Sequence, residues 1–254
     1  MRKTIIFTIL LLSLLVSGVA ASAATFKNET LRYVIAYKWG LIHKDAGEAT
    51  LTLKTRGDLY DIKLTAKTKQ WADKFYKVRD TLSGTLRAGG LKPISYIKST
   101  HEKGEYKRDE IDYSYSGSTV TGKARRFRYE KGKQNVTERT FSATGPVYDM
   151  LSVFYYLRSL DFANLIGGKT YKATVFSGKL KETVSIRYMG KEKIKMRDKT
   201  EREAYHIRFN FTREGGKKSS DDMDTWISTD AAHIPLYLVG KLPVGEVRAY
   251  LVGN

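Results

Sequence analysis

The feature that most restricts what this chain can fold into is alternation: from Leu31 to the C-terminus, stretch after stretch places an apolar residue at every second position. Tyr60-Asp61-Ile62-Lys63-Leu64-Thr65-Ala66-Lys67 shows it, and the period returns in Tyr205-His206-Ile207-Arg208-Phe209-Asn210-Phe211. A period of two belongs to a β-strand, whose successive side chains point to opposite faces, so one face is buried and the other wet. Similar runs lie near 31–39, 46–54, 75–87, 93–101, 106–116, 119–130, 133–141, 170–177, 181–189, 191–197, 223–229, 234–240 and 246–252, with Gly, Asp, Asn or Lys-Gly breaks between them. Helical stretches of crossover length are missing between these runs, which argues against a parallel sheet. The expected fold class is therefore all-β and mostly antiparallel: a curved sheet, roll or partly closed barrel, joined by hairpins.

One segment lacks the alternation. Gly145-Pro146-Val147-Tyr148-Asp149-Met150-Leu151-Ser152-Val153-Phe154-Tyr155-Tyr156-Leu157-Arg158 opens with Pro where a first helical turn tolerates it, and one covering helix is predicted near 146–160. Val147, Leu151, Phe154 and Arg158 form its stripe, widened by Met150, Val153 and Leu157, with Tyr148, Ser152 and Tyr155 nearer the edge. No Pro- or Ser-rich linker interrupts residues 24–254, so a single β-rich domain is expected.

The N-terminus reads as a secretory leader. Arg2 and Lys3 precede an apolar run from Thr4 to Val19, and Ala21-Ser22-Ala23 offers small side chains where a signal peptidase needs them, so residues 1–23 are predicted to be cleaved. The run is short for a membrane span of about 20 residues and has no charged stop after it. No later segment is apolar for long enough to span a bilayer as a helix, so no membrane span is expected after cleavage. With no cysteine, the chain has neither a lipoprotein anchor nor disulfides. The expected location is periplasmic or secreted, and a remaining chain of about 230 residues is long enough to stand on its core.

Lys and Arg exceed Asp and Glu by 18, and removing Arg2 and Lys3 leaves +16. The excess is spread along the strands, as in Arg125-Arg126-Phe127-Arg128-Tyr129, where the plain reading is a solvated strand face. The alternative is a surface that concentrates polyanions. Outside the cytoplasm those are anionic glycans, lipopolysaccharide phosphates or lipids, and no nucleic acid is expected.

Compact catalytic motifs are missing: there is no Gly-rich phosphate loop, HExxH or G-x-S-x-G, and His43, His101, His206 and His233 are far apart. Neither a metal nor a cofactor is expected. Paired carboxylates of a glycan hydrolase are the remaining catalytic option, with Asp80, Asp149 and Asp230 to consider. Asp149 reads as a helix-start carboxylate, Asp230 as the cap of a turn, and Pro235 as the first residue of the strand after it, with Trp226 buried beside them. Asp80 is unusual in a strand such as Tyr76-Lys77-Val78-Arg79-Asp80-Thr81-Leu82: it faces water beside Arg79 or is held inside by a partner. Tyr37, Trp39, Asp80, Tyr148, Tyr155 and Trp226 are the candidate ligand-binding residues, although aromatic residues in strands more commonly fill cores.

Spaced landmarks add a resemblance. Tyr37-Lys38-Trp39-Gly40 with Ala46-Gly47-Glu48-Ala49, Val78-Arg79-Asp80-Thr81, Tyr148-Asp149-Met150-Leu151-Ser152 with Tyr155-Tyr156-Leu157-Arg158, Gly190-Lys191-Glu192, Trp226-Ile227-Ser228-Thr229-Asp230 with Ile234-Pro235, and Gly245-Glu246-Val247 resemble the domain-of-unknown-function family 3108. The resemblance implies an exported, β-rich protein of the Gram-negative envelope and supplies no activity, cofactor or catalytic residue. The leading expectation is a non-enzymatic periplasmic binding or carrier protein for an amphiphilic or glycan ligand of anionic character. The alternatives are a glycan-active hydrolase or lyase, and an envelope assembly factor that binds protein partners.

Overall fold

The computed structural model describes residues 25–75, 77–102, 105–130, 132–242 and 244–253, and the leader expected at 1–23 lies outside them. Among the described residues one sheet of 15 strands takes up nearly the whole chain. Its first half is an up-and-down meander: β1 (Glu29–Trp39), β2 (Ile42–Arg56), β3 (Leu59–Thr68), a one-turn α1 (Gln70–Asp73), β4 (Val78–Arg87), β5 (Lys92–Glu102), β6 (Glu105–Ser116), β7 (Thr119–Glu130) and β8 (Lys133–Thr144). A short β9 (Val147–Asp149) and α2 (Ser152–Arg158) follow, then a second meander of β10 (Thr170–Phe176), β11 (Lys181–Lys195), β12 (Glu201–Arg213), β13 (Met223–Ser228), β14 (Pro235–Lys241) and β15 (Glu246–Gly253). β15 pairs antiparallel with β1, which joins the two halves into one sheet running from β8 to β9.

The alternation dictates how this sheet closes. Leu31, Leu51, Leu53, Tyr60, Ile62, Leu86, Tyr96 and Ile111 share one face of the first half, and Val184, Ile186, Ile207, Phe209 and Ile227 share one face of the second, all buried. Two such faces are removed from water together if the sheet rolls upon itself. The edge strands β8 and β9 do not pair with each other. Instead β9 lies against the inner face of β5, and Phe176 at the end of β10 packs between β6 and β7, with its ring stacked on Tyr113 (centroids 6.0 Å, planes 4° apart) and 5.3 Å from Phe141. Gly122 makes room for this overlap, because a Cβ there would sit 2.6 Å from the Phe176 ring.

The helix predicted near 146–160 is present, but shorter. Val147–Asp149 runs parallel to β10 as a strand, and helix begins at Ser152. Sheet pairing takes the first predicted turn because it satisfies the backbone at Val147–Asp149 within the roll. The stripe reading changes accordingly: Ser152 and Tyr155, placed at the edge, are fully buried, because α2 is enclosed on nearly all sides. No helix among the described residues is long and apolar enough to cross a membrane, which leaves crossing by strands unaddressed.

The two ends of the roll differ. At the end where β1 begins, α2 closes the interior. Arg158, 1% exposed, reaches Glu29 on β1 with both Nη atoms (2.5 and 2.9 Å) and donates to the carbonyls of His233 (2.9 Å) and Ala232 (3.0 Å) in the β13–β14 turn. Its guanidinium also lies over the rings of Phe26 and Tyr155. One buried cation thus ties the helix, the first strand and a distant turn together. At the opposite end, where β1 ends, nothing comparable spans the roll among the described residues.

Candidate functional site

Residues directly opposed in an antiparallel pair point to the same face, so the register maps the concave wall of the open end. One row runs Leu51, Leu64, Leu82, Lys98, Asp109, Arg126 across β2 to β7. The next, nearer the mouth, runs Ala49, Ala66, Asp80, Thr100, Lys107, Arg128. The first row is apolar on β2 to β4 and the second on β2 and β3 with Asp80 at its β4 position, while on β5 to β7 the two rows carry Lys98, Lys107, Arg126 and Arg128 with Asp109 among them. Continuing the other way, Ile35 on β1 opposes Ala249, which opposes Leu238, and Tyr37 opposes Val247 beside Gly240 and Met223. Ile35, Leu64, Leu82, Leu238 and Val247 are half-buried, in contrast to the fully buried rows behind them.

The cationic part is ordered around one carboxylate. Asp109 accepts from Arg126 Nε (3.1 Å) and Arg128 Nη2 (2.6 Å), and all three side chains are about four-fifths or more buried. Gly178 in the β10–β11 turn comes within 3.0 Å of Asp109 Cβ, counted from where a Cβ at Gly178 would lie, so this turn roofs the group. Lys98 is half-buried and has no ion pair among the described residues. Lys107 pairs with Glu105 (2.7 Å), so the excess positive charge of this part of the wall is that of two arginines on one aspartate with Lys98 beside them.

Behind the wall lies a polar knot. Asp149 is fully buried and takes hydrogen bonds on Oδ1 from the backbone N–H of Leu151 and Ser152 (both 2.8 Å), which starts α2. Burial pushes its carboxyl up from 3.8 to about 6 despite these bonds. Tyr96 and Tyr113 are raised well above the ordinary phenol value, first by burial and then by the Asp149 charge. Tyr96 Oη, Tyr113 Oη and Asp149 Oδ2 are buried with no hydrogen-bond partner among the described residues.

The sequence candidates do not converge. Tyr37 and Trp39 meet at the rim of the open end, where Tyr37 Oη donates to the Val244 carbonyl (2.8 Å) and Trp39 is 55% exposed. Asp80 lies on the concave wall with Oδ1 buried, so of its two expected fates the inward one holds. Tyr148 is in the core, stacked on Tyr156 (4.5 Å), and Tyr155 is fully buried, donating to Glu29 (3.3 Å). Asp230 Oδ1 accepts from Ser228 Oγ and Ala232 N (both 3.0 Å) in the turn before Pro235, at the closed end. Among the described residues no group of three His, Asp or Glu side chains is placed to hold a metal.

Trp226 departs from its expected burial in the core. Thr225 and Ile227 point inward, while Trp226 lies on the outer face in a stack of His206 (4.5 Å), Tyr237 (4.8 Å) and then Tyr250 (4.7 Å from Tyr237). It is half-buried because the end of the β11–β12 hairpin folds back over this stack. Glu192 accepts from the Trp226 indole, and Arg197 lies over Tyr250 while pairing with Asp45 (2.7 and 3.1 Å).

The cationic wall is what sequence reasoning missed. In Arg125-Arg126-Phe127-Arg128-Tyr129, the solvated-face reading is reversed for Arg126 and Arg128, which share the inner face with Ala124 and Val120, both buried. The small residues Ala124 and Gly122, two and four places before Arg126, were the available signal: such residues face a crowded interior.

Comparison with known proteins agrees with this architecture. A family model described as protein of unknown function (DUF3108) matches residues 32–252. A solved structure described as a beta-barrel-like protein of domain of unknown function DUF1849, from Brucella abortus, superimposes with a TM-score of 0.63 at 11% identity, covering 90% of this chain and 97% of that one. That likeness is one of fold. No curated protein matches the chain.

Proposed function

The chain belongs to the DUF3108 family of proteins of unknown function, and from that premise we propose that it is an exported, non-enzymatic binding protein of the bacterial envelope. Its ligand is an anionic amphiphile, held in the open end of the rolled sheet. The observation that carries this reading is the division of the concave wall into a half-buried apolar part (Leu64, Leu82, Ile35, Leu238) and a cationic part (Lys98, Arg126, Arg128) within the same strand rows. An apolar chain gains by covering the first part, and a phosphate or carboxylate headgroup by approaching the second. On this reading the far end is closed by α2 and Arg158, and the ligand enters and leaves by the open end. The leader-like residues 2–23 support export and the periplasm as the place of action.

The hydrolase alternative needs two carboxylates flanking one bond. Asp80 and Asp230 stand at opposite ends of the roll and Asp149 is fully buried, so the geometry does not favour it. A strand-adding partner would use the free edge of β8, where Lys133, Glu138 and Arg139 are all exposed; charged edge residues of this kind discourage pairing.

The test is a titration with a fluorescent long-chain fatty acid whose emission rises on burial. Saturable binding is expected, weakened about tenfold in Lys98→Gln, where a charge-assisted bond is lost, and more in Leu82→Asp. Equal probe affinity in wild type and both variants, at unchanged folding, overturns the reading.

A further inference from the structure

The rim of the open end is apolar in a way the rest of the surface is not. Of the eleven exposed large apolar side chains among the described residues, six are here: Trp39 (55% exposed), Leu41 (106%) and Ile42 (50%) in the β1–β2 turn, Leu242 (43%) and Val244 (55%) in the β14–β15 turn, and Phe75 (80%) after α1. Single exposed apolar residues need no explanation, whereas a group of them at one end of a molecule marks a surface that meets something apolar.

These tips are built to stand together. Gly245 has φ +77, and a Cβ on it would lie 2.4 Å from the Lys38 carbonyl oxygen and 3.2 Å from Trp39 Cβ, so the β14–β15 turn rests directly on the end of β1. The bond from Tyr37 Oη to the Val244 carbonyl fixes the same contact from below. α1 joins on the other side: Trp71 donates to the Asp45 carbonyl (2.9 Å), lies under Lys44 Nζ (4.4 Å), and meets Phe75 edge to face (6.3 Å). Apart from the Trp71–Phe75 ring contact, nothing among the described residues uses the outward side chains of Leu41, Phe75 or Val244, yet their backbones are held in place.

The charges around the tips identify the partner. Lys38, Lys44 and Lys241 flank the two turns, with Asp45 after Lys44, Glu246 pairing with Lys38 (3.8 Å) and Asp221 in the same cleft, and α1 and its flanks add Lys69, which pairs with Asp45 (3.8 Å), Lys74, Lys77, and Arg79, which pairs with Asp73 (2.7 Å), so cations outnumber acids around the tips. A protein partner of ordinary surface would reward apolar tips or cations in separate patches. A ring of cations just behind protruding apolar and aromatic side chains matches instead a bilayer surface, with anionic headgroups outside and hydrocarbon beneath.

We propose that this rim docks on an anionic lipid bilayer, with Leu41, Phe75, Val244 and Trp39 entering the headgroup boundary and the flanking lysines meeting lipid phosphates. The open end then faces the membrane. The docking stands whether or not the cup holds a ligand, so the two readings fail separately.

The experiment is flotation of the purified protein with vesicles of phosphatidylcholine alone or with about one-third phosphatidylglycerol. Binding is expected to the anionic vesicles and to fall steeply as salt rises from about 0.05 to about 0.5 M. Leu41→Asp with Val244→Asp should lower affinity by about tenfold or more for each side chain withdrawn, since each exposed apolar group is among those that gain most from burial. Lys74→Gln with Lys241→Gln should lower it about fivefold per cation at low salt and little at high salt. All these positions are exposed, so thermal melting should not move. Equal flotation of the double-aspartate variant, or equal binding to uncharged vesicles, overturns the proposal. So does self-association of the wild type that the aspartates abolish without any vesicle binding, which would make a second copy of the chain the occupant.

Discussion

Replacing Glu29 by Ala is the sharpest perturbation of the closed end. It leaves Arg158 with a charge in a site where the side chain is 1% exposed, and removes both of its carboxylate contacts, at 2.5 and 2.9 Å. Breaking a buried ion pair by deleting one partner typically costs about 3–5 kcal/mol, because the surviving charge stays dehydrated. Two carbonyls, at 2.9 and 3.0 Å, and the rings of Phe26 and Tyr155 retain part of the solvation of the cation. A cost near the lower end, about 3 kcal/mol, is therefore expected. With a urea dependence of about 2–3 kcal/mol per molar for a chain of this size, the unfolding midpoint should fall by about 1–1.5 M. Glu29→Leu combined with Arg158→Met should recover most of that loss, since a packed apolar pair replaces the ionic one. If Glu29→Ala shifts the midpoint by less than about 0.2 M, the buried pair does not hold the end closed and the account of α2 is wrong.

Three further outcomes follow from the same geometry. Asp149 has a folded value of about 6 against an ordinary 3.8, so the stability its protonated form confers is fully present below about pH 4 and is lost as pH rises through 6; the loss is about 3 kcal/mol. Asp149→Asn should remove this slope from denaturation profiles taken between pH 4 and 7, and an unchanged slope would mean that another group titrates. Leu151→Ala, at a fully buried position beneath α2, should cost about 2–5 kcal/mol in chemical denaturation, and an unchanged melting temperature would count against the helix as a closing element. Gly122→Ala forces a Cβ to within 2.6 Å of Phe176 and should destabilise by about 1–3 kcal/mol, with partial relief in the Phe176→Leu background; equal cost in both backgrounds would contradict the overlap of β10 on β6 and β7.

How legible the molecule was in its sequence varies by feature. The strands were readable because a period of two is a local property. The runs 181–189 and 191–197 read as two strands, yet they form one 15-residue β11 with an irregularity between Tyr188 and Gly190, which an alternation pattern registers as a break. Alternation says which residues share a face, but not which face turns inward when every second residue is charged. Arg126 and Arg128 therefore read as solvated, and only pairing with β6, which sets them beside Lys107 and Asp109, places them on the concave wall. Trp226 shows the same limit, since its half-burial depends on a hairpin end folding over it. The Glu29–Arg158 pair joins positions 129 apart and leaves no local trace at all.

Whether the open cup carries an anionic amphiphile can be read by native mass spectrometry of the protein purified from a bacterial envelope without detergent. A stoichiometric added mass that fragments to an acidic, acyl-bearing molecule is expected, retained by the Leu41→Asp, Val244→Asp variant and reduced or lost in Leu82→Asp. A bare chain in every preparation, or an added mass that Leu82→Asp and Lys98→Gln leave untouched, contradicts it.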